Sequence, residues 1–251
     1  LNPASSLPGS FRSVVCGVDA TRENLEAVRQ AARIAAPDGR LTLVSVVVES
    51  IFEPEAAQRA LMRAAHEVRL PQEIEASLLV GHPPQLLLQE IGRAAASLAA
   101  VGIHQASRAG GILLGGTAAD VLFRAPCSVL VARPPVFPGR FPSRIVVGVD
   151  GSPHSLVALE VAKNLRDRWD CALSAVAADS GKGIAIAGPE CAHVAIKPGA
   201  PVTVLVDAAQ DADLLVVGHR GLHGVRSLGS VGERVAYRAA CSVLVVRSLT
   251  A

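Results

Sequence analysis

Short apolar runs alternate along this chain with longer segments in which alanine, leucine and valine recur at helical spacing. The short runs read as buried strands of a parallel sheet and the longer segments as its crossover helices. In the first part of the chain the pattern predicts strands over Ser13 to Val18, Leu41 to Val48, Glu75 to Leu79, Ser97 to Val101 and Ser128 to Val131. Helices are predicted between them over Thr21 to Ala36, Glu53 to Val68, Gln85 to Ala95 and Ala118 to Phe123. The second part predicts strands over Arg144 to Val149, Ala172 to Ala177, His193 to Ile196, Leu214 to Val217 and Ser242 to Val246. Ser152-Pro153 is a helix start there, a capping hydroxyl with proline at the first helical position.

The two parts are copies of one unit. Ser13 to Asp19 matches Arg144 to Asp150 at an offset of 131, and Pro126 to Val131 matches Ala240 to Val245 at an offset of 114. The offset from Gly102 to Gly218 is 116, so the second copy loses 15 residues before its glycine loop and two within it. Glycine-rich Asp179 to Pro189 replaces the helical Glu53 to Val68 segment, which places most of that loss before the third strand. Between the copies, Arg133 to Pro142 carries four prolines and reads as a linker. The expectation is therefore an α/β protein of two tandem Rossmann-like domains, residues 1–137 and 138–251. Each is a doubly wound sheet of five parallel strands in the order 3-2-1-4-5.

That order turns sequence into a candidate site, because ligands of doubly wound sheets sit beyond the carboxyl ends of the strands where the order reverses. In the second copy, Gly148 and Asp150-Gly151-Ser152 end strand one, and Gly218-His219-Arg220-Gly221 end strand four. Gly229-Ser230-Val231 opens the last helix. Free backbone N–H groups at such turns and helix starts can cradle a phosphate, and glycine lets the anion come close. Asp19 and Asp150 are also open to a reading as helix N-caps, and the glycines, taken singly, are explained as turn residues. Neither GxxxxGK[ST] nor GxGxxG is present, so nucleotide chemistry here is of another kind.

These motifs, with the APCSVLVAR and AACSVLVVR endings, resemble the universal stress protein family over nearly the whole chain. The resemblance implies binding of ATP, or of AMP or cyclic AMP, with or without Mg2+, through a pattern of Gly-x2-Gly-x9-Gly-Ser/Thr. It implies that Asp150 meets the ribose or adenine beside Gly148, that Val176 meets the adenine, and that the two glycine groups line the phosphates. The first-copy counterparts are Gly17, Asp19, Val46, Gly102, His104, Gly115, Gly116 and Thr117. The match has departures. Only seven residues separate Gly221 from Gly229, and Ala20, Gln105 and Gly116 stand where the pattern has glycine, glycine and a hydroxyl. The family often dimerises through its last strands, which implies an intramolecular pseudo-dimer here and leaves a further homodimer open.

Composition narrows the classes. A net charge of +2, dispersed basic residues and 3% aromatics argue against a nucleic-acid groove. No apolar run long enough for a membrane span and no secretory leader pattern are found, so a cytoplasmic protein without a membrane role is expected. Five cysteines without a CxxC pair suggest neither a disulfide framework nor a zinc site, and the scattered histidines share no ligand spacing. One carboxylate per crevice and no lysine make a thin inventory for phosphoryl transfer, so no catalytic residue is assigned. The expected function is nucleotide binding in the stress response, exerted through ligand-dependent conformation or partner binding. A slow ATPase or nucleotidyl transferase, and an interaction module with empty relic sites, are the alternatives.

Overall fold

The computed structural model describes residues 10–18, 22–48, 54–68, 73–103, 114–136, 139–181, 193–219 and 231–247. The first half runs β1 (Phe11–Gly17), α1 (Arg22–Ile34), β2 (Ala35–Val47), α2 (Pro54–Glu67), β3 (Glu73–Val80), α3 (Pro83–Arg93), β4 (Leu98–Gly102), α4 (Gly116–Arg124) and β5 (Ser128–Ala132). The second runs β6 (Arg144–Gly148), α5 (Pro153–Trp169), β7 (Ala172–Asp179), β8 (Val194–Pro198), α6 (Pro201–Ala208), β9 (Leu214–His219), α7 (Val231–Arg238) and β10 (Ser242–Arg247).

The ten strands among the described residues form one sheet in the order β3-β2-β1-β4-β5-β10-β9-β6-β7-β8. Each half is thus a parallel 3-2-1-4-5 arrangement, as the alternation of apolar runs and helices implies. The register repeats with the sequence: Val14 lies opposite Leu98, and Ile145 opposite Leu214. The halves meet at their last strands, which pair antiparallel with Leu130 opposite Leu244. Both are fully buried.

Burial explains why these central strands carry almost no polar residues. One face is covered by α1, α2 and α5, whose Val28, Leu61 and Leu159 pack on β1, β6 and their neighbours. The other is covered by α3, α4, α6 and α7 through Leu87, Val121, Leu205 and Val235. A strand sandwiched on both faces gains by placing an apolar side chain at every position, at about 1.5–3 kcal/mol for each fully buried Val, Leu or Ile. Edge strand β8 lacks this treatment, and Ile196 there is 58% exposed.

Several boundaries differ from expectation. Helix α1 gives way directly to β2 at Ala35, and a register shift between Phe11 and Ser13 takes up the Pro37-Asp38-Gly39 segment as an irregularity within the β1–β2 ladder. Arg133, expected to open the linker, is instead fully buried, and Phe141 near the linker's end is buried too. Asp213, just before β9, anchors the linker. Its carboxylate accepts from the backbone N–H groups of Val136 at 3.2 Å, Ser143 at 2.9 Å and Arg144 at 3.0 Å, and from the Ser143 hydroxyl. The expected cut at residues 137 and 138 and the shortened segment 182–192, with Cys191, lie outside the described residues.

Cys16, Cys127 and Cys241 are buried, as their place beside or within apolar strands suggests. Burial pushes the Cys16 thiol up to about 12, and the other two up to about 11. Among the described residues no helix is long and apolar enough to cross a membrane.

Candidate functional site

The most completely described crevice is the one between β6 and β9. From this point the chain leaves β6 into α5 on one face, while α6 and α7 lie on the other, so the ends of β6 and β9 open between diverging connections. The Asp150 turn that follows β6 is built from its own residues. Gly151 has φ +79°, a conformation that L side chains rarely adopt. Ser152 caps α5, its hydroxyl accepting from Ser155 N–H, with Pro153 at the first helical position. The Asp150 carboxylate Oδ1 accepts from the Ser152 N–H at 3.0 Å and from its hydroxyl at 2.5 Å. Ser155 closes the ring: its Oγ accepts from Asp150 N–H at 3.2 Å and donates to Ser152 O at 2.9 Å. Asp150 is exposed at the strand end, so the turn presents a carboxylate and a helix start to solvent together.

Strand β9 forms the other wall. A Cβ at Gly218 would stand 2.5 Å from the carbonyl carbon of His154 and 2.9 Å from Ser155 N, so the first turn of α5 rests on the bare backbone of β9. Gly218 was expected to make room for phosphate; the room it makes in the structure is filled by α5, and this contact draws the Asp150 turn onto β9. Gly148 plays a milder version of the same part, leaving space for Leu205 of α6.

His219 was expected among the phosphate-lining residues. Its side chain instead turns inward, with Nε2 at 3.8 Å from Glu233 Oε1 in the first turn of α7, and both side chains are almost fully buried. Arg247, paired in register with His219 on the adjacent β10, lies near enough to Glu233 for the two charges to interact. Burial lowers its pKa, while Cys127 and Glu233 act the other way. The first half has Ile103 and Ala119 at the places of His219 and Glu233, so this buried pair has no counterpart there.

Register corrects one correspondence. Val176 lies opposite Gly148, and its carbonyl accepts from Val149 N–H at 2.9 Å. In the first half Val44, not Val46, lies opposite Gly17 and accepts from Val18 N–H at 2.8 Å. Val44 and Val176 are both core residues, and Val46 and Ala178, one step further along the same face, are the half-buried rim positions.

In the first half Gly102 ends β4, and α4 opens at Gly116 with Gly115 as its N-cap and Thr117 in its first turn. Gly17 ends β1. Val231 opens α7. Asp19, His104, Arg220, Gly221, Gly229 and Ser230 lie outside the described residues. Among the described residues no three His, Cys, Asp or Glu side chains are placed to hold a metal ion.

The model of the universal stress protein family matches residues 10–133 and 184–247. The chain belongs to the universal stress protein family. A universal stress protein of Mycolicibacterium smegmatis is 28% identical, with 93% of this chain and 96% of that protein covered. Another, from Mycobacterium tuberculosis, is 28% identical over 96% of this chain and 98% of its own. Among solved structures, a universal stress protein from Archaeoglobus fulgidus shares the fold with a TM-score of 0.74 at 21% identity, covering 93% of this chain and 95% of that one. The chain is thus similar to full-length universal stress proteins across both halves.

In this universal stress protein three parts of the crevice are not among the residues its motifs point to: Ser155, the His154 carbonyl under Gly218, and Glu233. Ser155 carried a usable signal, a second hydroxyl three residues after the Ser152 cap. The other two did not, because each meets its partner only once a helix has folded across a strand.

Proposed function

We propose that this chain is an adenine-nucleotide-binding stress-response protein, built as two tandem domains over residues 1–137 and 138–251, which acts through ligand-dependent conformation or partner binding. The observation that carries the reading is the convergence of the Asp150-Gly151-Ser152 turn, with Asp150 exposed, and the end of β9 at the point where the strand order reverses. Family membership adds that the same chemistry is to be sought in both halves.

In this reading the Asp150 carboxylate accepts from the ribose hydroxyls. The adenine lies along the β7 rim at Val176 and Ala178. The start of α7, beginning at Val231, faces the phosphates with its N–H groups and the positive end of its dipole. The residues present fit a triphosphate best through backbone donors, with any Mg2+ carried on the phosphates. In the first half, Gly115, Gly116 and Thr117 at the start of α4 take the same part, beside Gly102 and Val46. The antiparallel pairing of β5 with β10 supports reading the halves as an intramolecular pseudo-dimer.

The test is mass spectrometry of small molecules released by denaturing freshly purified protein. Release of an adenine nucleotide, lost in Asp150→Ala, is the expected result. If no adenine nucleotide is released and added ATP, AMP and cyclic AMP leave the melting temperature unchanged, the reading fails, since a ligand of the folded state must stabilise it.

A further inference from the structure

Among the described residues the largest fully buried side chain belongs to an arginine, Arg133, which follows β5 of the first half yet serves the second. Its Nη2 donates to Ala236 O of α7 at 2.5 Å and its Nη1 to Cys241 O at 3.2 Å. Its backbone N–H donates to Ser242 Oγ at 2.9 Å. The reverse exchange is also present. Arg247, at the end of β10, donates through Nη2 to Leu122 O of α4 at 2.6 Å and through Nη1 to Ala125 O, and its backbone N–H donates to Ser128 Oγ at 3.0 Å. The two arginines stand at one repeat offset, 114, as do Leu122 and Ala236, and Ser128 and Ser242. The arrangement is therefore reciprocal.

We infer that Arg133 and Arg247 are positioning residues exchanged between the halves, each fixing the helix that opens at the other half's crevice. The physical argument is length. Helix α7 has 8 residues and α4 has 9, about 12 and 14 Å at 1.5 Å per residue, so holding the last turn of either sets the direction of its first. A guanidinium suits the place, since carbonyls at a helix C-terminus lack intrahelical donors and carry the negative end of the dipole. Burial costs Arg133 part of its charge preference, pushing it down to about 10, so the carbonyls it meets are what hold it there.

The exchange is not equally firm on both sides. Gln30 of α1, fully buried, donates through Nε2 to Arg133 O at 2.6 Å and accepts from Ser242 Oγ at 2.7 Å. Its repeat counterpart is Val161, which has no polar group to offer. Arg133 is therefore locked from three sides, and α7, at the second crevice, is the more rigidly aimed helix. The effect on ligand rests on reading the crevices as nucleotide sites; the effect on the helices does not.

The test combines hydrogen exchange without ligand and ATP affinity in the full chain. In Arg133→Met, amide exchange over residues 231–238 rises tenfold or more while residues 116–124 keep the wild-type rate; in Arg247→Met the larger rise is over residues 116–124, with a smaller one over 231–238 because Arg247 also acts on Glu233. ATP affinity, measured with Asp19→Ala to silence the first crevice, falls about tenfold in Arg133→Met. If Arg133→Met does not fold, Arg133→Lys replaces it, and the expected loosening is smaller but still confined to α7. A uniform rise in exchange, or an α7 that loosens with ATP affinity intact, overturns the inference. A crossed exchange pattern in a protein that binds no ATP leaves the exchanged support of the helices standing and removes the nucleotide reading.

Discussion

Gly218 on β9 and His154 in the first turn of α5 touch backbone to backbone, closely enough that a Cβ on Gly218 would stand 2.5 Å from the His154 carbonyl carbon. A backbone obstacle cannot rotate aside as the end of a side chain can. Gly218→Ala is therefore expected to lower stability by about 2–3 kcal/mol, read from urea denaturation, because α5 or β9 must shift. Gly148→Ala meets the movable end of Leu205 instead and is expected to cost less than half as much.

Gly116 offers the opposite case. It lies exposed in the first turn of α4, and a Cβ there would meet nothing within 4 Å. Gly116→Ala is expected to raise stability by up to about 1 kcal/mol through reduced freedom of the unfolded chain. A methyl at a crevice that admits phosphate would weaken ligand binding in the same variant, so calorimetry and denaturation should move in opposite directions.

Asp213 carries the linker's backbone on one buried carboxylate. Asp213→Asn replaces an acceptor oxygen with a donor facing N–H groups, and the expected loss is about 3 kcal/mol or more, measured as a fall in the denaturation midpoint. Exchange should rise first at Val136, Ser143 and Arg144, whose N–H groups Asp213 holds.

Alkaline pH tests the buried thiols. Cys16, Cys127 and Cys241 ionise in the unfolded chain near their ordinary value of 9.0, but are raised to about 12, 11 and 11 in the folded protein. Their contribution is fully present below pH 9 and is lost as pH climbs toward the folded values. Each thiol should remove about 1.4 kcal/mol per pH unit within that window. Stability measured between pH 9 and 10 should fall more steeply in the wild type than in Cys127→Ala.

The strands were legible because the central ones, buried on both faces, must be apolar throughout, and two copies of the pattern reinforce each other; the order within each half followed from the right-handed crossovers of a doubly wound sheet. The exchange of Val44 for Val46 shows the limit. A slip of two residues keeps every side chain on its own face, so alternation cannot detect it, and only the hydrogen-bond register does. The inward turn of His219 was hidden for another reason. A histidine beside glycines resembles a ligand residue until Glu233, brought over it by α7, supplies a buried partner. Arg133 was obscured by the prolines after it, which marked a linker while the arginine itself was bound into the opposite half.

Isothermal titration of ATP into nucleotide-stripped protein decides whether the crevice at Asp150 and Gly218 binds an adenine nucleotide as proposed. Saturable binding that is lost or weakened at least tenfold by Asp150→Ala, with the variant folded, is the expected result. Absence of saturable binding by ATP, AMP and cyclic AMP at millimolar concentration, or ATP binding that Asp150→Ala leaves unchanged, would contradict it.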